Sequence, residues 1–503
     1  MQDSRAKGEL PMKRISALIL AMLMCFSVLV ACGGKTDDSA VTTTAAIGNA
    51  NDDTTIAAVT EATEPEEQLE ITIKPEYSGK TITILCRGNW DYNEFWAEEI
   101  TGEPLNDARY NMSALLNDLM GVTIQIDKDC GGGSSGGSGK GFTAVANSKL
   151  AGDHAYDMAS IGTYDVSSLA YQGYLYDLND MANIDLSKSW WDPKAQEQLE
   201  IDGHMFYTTG DAMTLDNNCT YCILFNKSMI SEYNLESPYE LVKNNQWTQE
   251  KMIEMAHGIG ADLDGNGVYN DQDRYGFLIW TDSAIGIMHA AGARFATIEN
   301  GDTITYTLNT EKNLDVLERW IAVRNDKNSM FIEGSGSTKG FEEGRVLFYT
   351  RYINSVHSLR ELDLDFGILP YPKGYADQEE YCNTLHAYGN ALMCIPDAAD
   401  PEMSAAIMEA LSYYGQKELL PAYYDITLVG KGIRDAESEE MLDIIFATRF
   451  FDVGTYYQIG GLNTTINSQL ITGNNTLASM LKASEKLIQK TLDKINDGFD
   501  SIQ

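Results

Sequence analysis

The sequence predicts an α/β protein of two lobes, each built on strands that alternate with helices. Two observations carry this. Short apolar runs alternate with amphipathic stretches of helical period along most of the chain, the grammar of strand–helix–strand units with largely parallel pairing. The chain has 503 residues, and removing a leader of 31 leaves 472, too many for one compact core and suited to two.

Residues 12–31 read as a bacterial lipoprotein signal peptide. Lys13 and Arg14 supply its positive start, and Leu29-Val30-Ala31-Cys32 is a lipobox whose cysteine is the acylation site. The apolar run between them is about 16 residues, short of the roughly 20 that a spanning helix needs. A diacylglycerol thioether on Cys32 places the protein on the extracellular face of the cell membrane, lipid-anchored. An ordinary secretory signal or a signal anchor is the alternative. Residues 1–11 have no place in such a signal, so translation is expected to start at Met12. Residues 32–74, rich in Thr, Ala, Asp and Glu, read as a disordered tether.

Folded sequence follows. Strands are expected at 81–85, 122–126 and 158–161, with helices at 106–119 and 166–171 and a glycine–serine loop at 131–141. The same pattern then returns. A strand is expected at 220–225, a helix capped by Thr248 runs to about 258, and a helix at 314–323 turns Leu317 and Trp320 inward. Short strands follow at 346–349 and 366–369. Asp400-Pro401 opens a helix with a polar cap and proline at its first position, and residues 477–495 form a last amphipathic helix.

Asp and Glu total 74 against 36 Lys and Arg, a net charge of −38, and loss of the leader takes the mature chain near −40. That charge repels nucleic acid and anionic lipid. Eight cysteines become six once Cys25 leaves with the signal and Cys32 takes the lipid: Cys86, Cys130, Cys219, Cys222, Cys382 and Cys394. Cys219-Thr-Tyr-Cys222 has no second pair to complete a zinc site and lies in a strand-like run, where positions i and i+3 face opposite sides. These six read as small buried residues; a disulfide among them is the alternative.

The sharpest motif is DLDGNGVYNDQD at 262–273. It fits the twelve-residue calcium loop, with side-chain oxygens of Asp262, Asp264, Asn266, Asn270 and Asp273, the carbonyl of Val268, and Gly267 at the sharp turn. Asp273 replaces the usual Glu, which shortens its reach. A structural Ca²⁺ is expected; an ion-free turn is the alternative. Catalytic signatures fail. Gly132-x-Ser134-x-Gly136 sits in a low-complexity loop, no His pair has metalloprotease spacing, and Asp91, Glu94, Glu98 and Glu99 read as a solvated helix start. The aromatic content is informative: 27 Tyr and 7 Trp cluster near expected strand ends, where ligands bind in open α/β sheets. Aromatic faces flanked by Asp and Arg suit a sugar ring, so Trp90, Asp91, Tyr164, Trp191, Trp280, Tyr349 and Arg351 are the ligand-binding candidates. Core packing is the alternative for each.

Several strings, in order, carry a resemblance: TGEPLNDA at 101–108, GYLYDL at 173–178, FNK at 225–227, PYELV at 238–242 and WT at 247–248. The calcium loop running into RYG at 274–276, FGILP at 366–370 and RDAES at 434–438 complete them. The chain resembles the extracellular solute-binding proteins of family 1, capture subunits of ATP-binding-cassette importers, in the long lipoprotein form of Gram-positive Firmicutes. The resemblance implies a two-lobed periplasmic-binding-protein-like (type II) fold with central mixed sheets and a hinge. Lobe one would be 75–217 plus 340–392, and lobe two 218–339 plus 393–503. It implies a monomer that holds a solute, in most such proteins a sugar or oligosaccharide, in the interlobe cleft, closes on it by hinge motion, and delivers it to membrane permease subunits without catalysis. The rival readings are a surface glycoside hydrolase and an adhesion module; a dockerin would need two tandem calcium loops, and one is present.

Overall fold

The computed structural model describes residues 67–87, 94–130, 139–326, 328–333, 338–359, 362–424 and 435–502. The signal peptide, Cys32, Trp90, Asp91 and the glycine–serine match at 132–136 lie outside them. In chain order the strands are β1 (Thr81–Arg87), β2 (Thr123–Cys130), β3 (Met158–Gly162), β4 (Tyr221–Asn226), β5 (Tyr275–Trp280), β6 (Ala296–Glu299) and β7 (Thr303–Tyr306). Then come β8 (Met330–Glu333), β9 (Val346–Tyr352), β10 (Phe366–Leu369), β11 (Asn383–Thr384), β12 (Ala391–Cys394) and β13 (Arg449–Phe450). Two main sheets result, ordered β12–β3–β1–β2 and β10–β4–β9–β5–β8, beside the β6–β7 hairpin and the short β11–β13 pair.

Both main sheets are mixed. β1 runs parallel to β2 and β3, while β12 is antiparallel to β3. In the second sheet β5 is parallel to β8 and β9, while β4 is antiparallel to β9 and β10. The alternation of apolar runs with helices pointed to largely parallel pairing, but a short run such as ALMC carries no signal of direction. It pairs either way.

Local rules set the helix ends. In Pro104–Met120, Glu103 accepts a hydrogen bond from the Asn106 amide at 2.7 Å, and proline stands first. Ala108, Met112, Leu116 and Met120 are buried at four-residue spacing. Gly121 ends the helix at φ 70°, and a Cβ there would also come 2.6 Å from Ser78 Oγ. Thr248 caps Gln249–Ala256 and Asp400 caps Pro401–Tyr414, as their sequences led us to expect.

The division into lobes differs from the expected one. β9 and β10, placed with lobe one by the resemblance, pair with β4 and β5 in the second sheet. All seven residues of β9 are buried, which requires a central position with a strand on each side. β12, which straddles the expected boundary at 392, completes the first sheet, with Leu392 opposite Ile161. Helix Pro401–Tyr414, expected in lobe two, docks on the first lobe through Glu409. The Trp190 and Trp191 indoles each donate to this carboxylate at 3.1 Å, and the Asp185 amide adds a third donor at 3.3 Å. Burial still outweighs the donors and pushes the Glu409 carboxyl up to about 7. The helix continues into a π-helical turn, Gly415–Leu419, where a Cβ on Gly415 would sit 2.3 Å from the Asp211 carbonyl oxygen.

Two further expectations give way. The tether was placed through residue 74, yet residues 67–74 lie along the first lobe. Ser189 donates its amide to Glu67 at 2.8 Å, the Thr72 amide donates to Asn183 at 2.8 Å, and Leu69 and Ile71 pack on the core. Glu94, read as solvated, is buried and accepts the Thr214 amide at 2.6 Å; burial raises its pKa against the pull of Arg109. Cys86, Cys219, Cys222 and Cys394 are buried and Cys382 is half-buried. The last helix, Leu477–Asp500, reaches across both parts of the fold. Asn496 bonds the Ile304 backbone in β7, and Lys494 donates to the Tyr171 hydroxyl at 3.0 Å. No helix among the described residues is long and apolar enough to cross a membrane.

Candidate functional site

Strand direction gathers a set of side chains at one edge of the second sheet. β5, β8 and β9 are parallel and end there with Trp280, Glu333 and Tyr352. β4 runs the opposite way, so its first residue joins them, and Tyr221 pairs with Tyr352. From the first sheet, β3 ends at Gly162, and Tyr164 follows two residues later. Between these ends lies a cavity of about 570 Å³, lined by Tyr164 and Tyr388 together with Tyr221, Asp282, His386 and Asn467.

Asp282 organises the cavity. Its Oδ2 lies 3.1 Å from His386 Nε2, and its Oδ1 accepts from Asn467 Nδ2 at 3.1 Å. The Tyr221 hydroxyl donates to the Asp282 carbonyl oxygen at 3.4 Å. The His386 ring lies flat on Tyr352, with centroids 5.5 Å apart and planes 6° apart. Tyr164 accepts from Asn463 Nδ2 at 3.3 Å, and burial pushes its phenol up to about 12, so it stays neutral. Tyr388 is 46% exposed, a large aromatic face open to the cavity. Several buried polar atoms have no partner: His386 Nδ1 and the Oδ1 atoms of Asn463 and Asn467. Each such atom costs about 1–3 kcal/mol if nothing bonds it.

Beside the cavity, the Arg351 guanidinium carbon lies 4.1 Å from the Trp280 ring centroid and 4.5 Å from that of Tyr352. Its Nε donates to Ser355 Oγ at 3.2 Å. Arg351 Nη1 and Trp280 Nε1 are buried without acceptors.

Of the seven ligand candidates, Tyr164 lines this cavity, while Trp280 and Arg351 are not in its lining and connect to it through Tyr352, which stacks on His386. Trp90 and Asp91 lie outside the described residues. Tyr349 does not join them: it sits in a separate core under Phe341, ring centroids 5.6 Å apart. Trp191 is also elsewhere, tied to Glu409 and lining a second cavity of about 400 Å³. There Arg449 Nη1 donates to Asp192 at 2.7 Å and to Asp216 at 3.1 Å. Sequence reasoning missed Tyr221, Asp282, His386, Tyr388, Asn463 and Asn467. The last two carried a readable signal, two amides at i and i+4 on one helix face of Leu462–Thr472.

The 262–273 loop closes on itself. Asp262 accepts the amides of Gly265 at 2.8 Å and Gly267 at 2.6 Å, and the Gly267 contact, the larger influence, holds its carboxyl below the usual range. Gly265 and Gly267 take φ of 71° and 77°. The buried Asp273 accepts from Leu263 and Asn270, each at 2.9 Å. One carboxylate oxygen each from Asp262, Asp264 and Asp273 lies within 4.8 Å of the others. Three like charges this close, with Asn266, Asn270 and the Val268 carbonyl around them, fit a hard divalent cation.

A family profile described as bacterial extracellular solute-binding protein matches residues 134–430. No curated protein matches the chain by sequence. Solved structures do match in fold. One is a substrate-binding protein of an ABC transporter from Listeria monocytogenes in complex with cycloalternan (14% identity, 84% of this chain and 99% of that chain, TM-score 0.52). Another is the maltose/maltodextrin-binding domain from Bdellovibrio bacteriovorus bound to maltotriose (13%, 82% and 99%, TM-score 0.52). A third is UgpB from Mycobacterium tuberculosis in complex with glycerophosphocholine (16%, 80% and 98%, TM-score 0.54). All three share the two-lobed type II periplasmic-binding-protein-like fold.

Proposed function

The chain belongs to the bacterial extracellular solute-binding proteins, a family of binding proteins rather than enzymes, and we propose that it captures a carbohydrate for an ATP-binding-cassette importer. The carrying observation is the cavity between the strand ends of the two sheets, where Tyr388 and Tyr164 stand beside unpartnered buried atoms of His386, Asn463 and Asn467. A sugar ring needs a flat apolar face and fixed hydrogen-bond partners around its rim, and this cavity offers both. The cycloalternan and maltotriose held by two proteins of the same fold point the same way. The two parts of the fold close on the ligand by a hinge, and permease subunits in the membrane receive it. Binding proceeds without turnover.

A short-oligosaccharide panel tests the site. At least one member should raise the melting temperature and change tryptophan fluorescence, and Tyr388→Ala should weaken its binding about tenfold with the fold intact. If no sugar in the panel shifts the melting temperature, the carbohydrate reading is wrong.

The 262–273 loop holds Ca²⁺ as a structural ion, with Asp262, Asp264, Asn266, Val268, Asn270 and Asp273 as ligands. It leaves no open position for chemistry. Calcium at a hundredfold excess over its Kd should stabilise the fold by about 2.7 kcal/mol, and Asp262→Ala should remove most of that gain. Equal melting temperatures with calcium and with chelator would identify an ion-free turn.

Cys32 carries the lipid that keeps the receptor at the extracellular face of the membrane, on the strength of the Leu29-Val30-Ala31-Cys32 lipobox. In cells fed labelled fatty acid, Cys32→Ser should take up none; label in the variant overturns the anchor.

A further inference from the structure

Arg351 is more than nine-tenths buried, in a chain with twice as many acidic as basic residues, yet no carboxylate among the described residues lies within ion-pair distance of it. A buried guanidinium without an ion-pair partner among the described residues is expensive to keep. Its surroundings restrict what can compensate it. Trp280 and Tyr352 cover its faces at 4.1 and 4.5 Å, and Ser355 engages Nε, so the terminal Nη edge is what remains for a ligand. Nη1 on that edge has no acceptor, and neither does the adjoining Trp280 Nε1.

These two groups are donors only. A sugar hydroxyl brings a proton of its own to such a pair, whereas a carboxylate brings acceptor lone pairs alone and matches the planar fork of arginine. Resting on the carbohydrate reading, we propose that the ligand is an acidic sugar, a uronic acid or an oligosaccharide containing one, whose carboxylate is held by Arg351 and Trp280. Tyr388, Tyr164 and the Asn463–Asn467 face then take the ring and its hydroxyls. The charge of −38 on the chain opposes an approaching anion. Salt screens that repulsion beyond about 8 Å, while the contact with Arg351 is buried and screened little. The local contact decides.

The test is calorimetry with short galacturonate and glucuronate oligosaccharides, each beside its neutral galactose or glucose counterpart and its methyl ester. The acid should bind at least tenfold more tightly than its ester or neutral counterpart. Arg351→Gln should weaken the acid on the order of 30-fold, about 2 kcal/mol, and the neutral sugar by less than about threefold. Trp280→Phe keeps the ring against Arg351, removes only the indole donor, and should cost the acid a smaller factor, on the order of fivefold. This variant serves if Arg351→Gln does not fold. Neutral sugars binding as tightly as their acids overturns the acidic ligand and leaves the carbohydrate receptor standing. Binding of a uronate that is unchanged by both substitutions overturns the roles of Arg351 and Trp280. Failure of every sugar, acidic or neutral, overturns the carbohydrate reading and this inference with it.

Discussion

The candidate binding region depends on the direction of one strand. β4 enters the second sheet antiparallel to β9, and this puts its first residue, not its last, at the edge where β5, β8 and β9 finish. Tyr221 therefore faces Tyr352 across the ladder, and the edge rings of Tyr221, Tyr352 and His386 meet there, the first edge-on to the other two. A one-residue slip of β4 would turn Tyr221 to the opposite face of the sheet, so the register itself specifies the site.

Polar groups in this region divide into two sets with different work. One set is closed: Asp282 is satisfied by His386 and Asn467, and Tyr164 by Asn463, which fixes these side chains before any ligand arrives. The other is open: His386 Nδ1, the amide oxygens of Asn463 and Asn467, and the donors of Arg351 and Trp280. A ligand then meets rigid partners and loses little to ordering them. The cavity beside Trp191 differs, since its guanidinium, Arg449, already has two carboxylate partners, Asp192 and Asp216.

Much of the fold was legible because its signals are local. Glu103-Pro104, Thr248 and Asp400-Pro401 mark helix starts by chemistry that needs no neighbour from elsewhere in the chain. The tight turn at 262–273 was legible for the same reason: its aspartates and glycines act on near neighbours in the chain. What failed was non-local. The sequence of β9 says it is buried but not between which strands, so β9 and β10 were expected in the other lobe. The rule that ligands gather at strand ends singled out Tyr164, which lines the cavity, but passed over Tyr221, which also lines it and begins its strand. Tyr349, two residues before Arg351 in the same strand, looked equivalent, yet it lies deeper under Phe341. Glu94 seemed one of several surface acids until Thr214, 120 residues away, supplied its donors.

The proposed ligand site joins the ends of the two sheets. Amide hydrogen exchange, with and without the sugar that most raises the melting temperature, addresses it directly. Slowed exchange should appear together in residues 280–285, 385–390 and 461–472, which approach one cavity from three separate parts of the chain. Protection confined to the neighbourhood of Trp191 and Arg449, with those three segments unchanged, would contradict it.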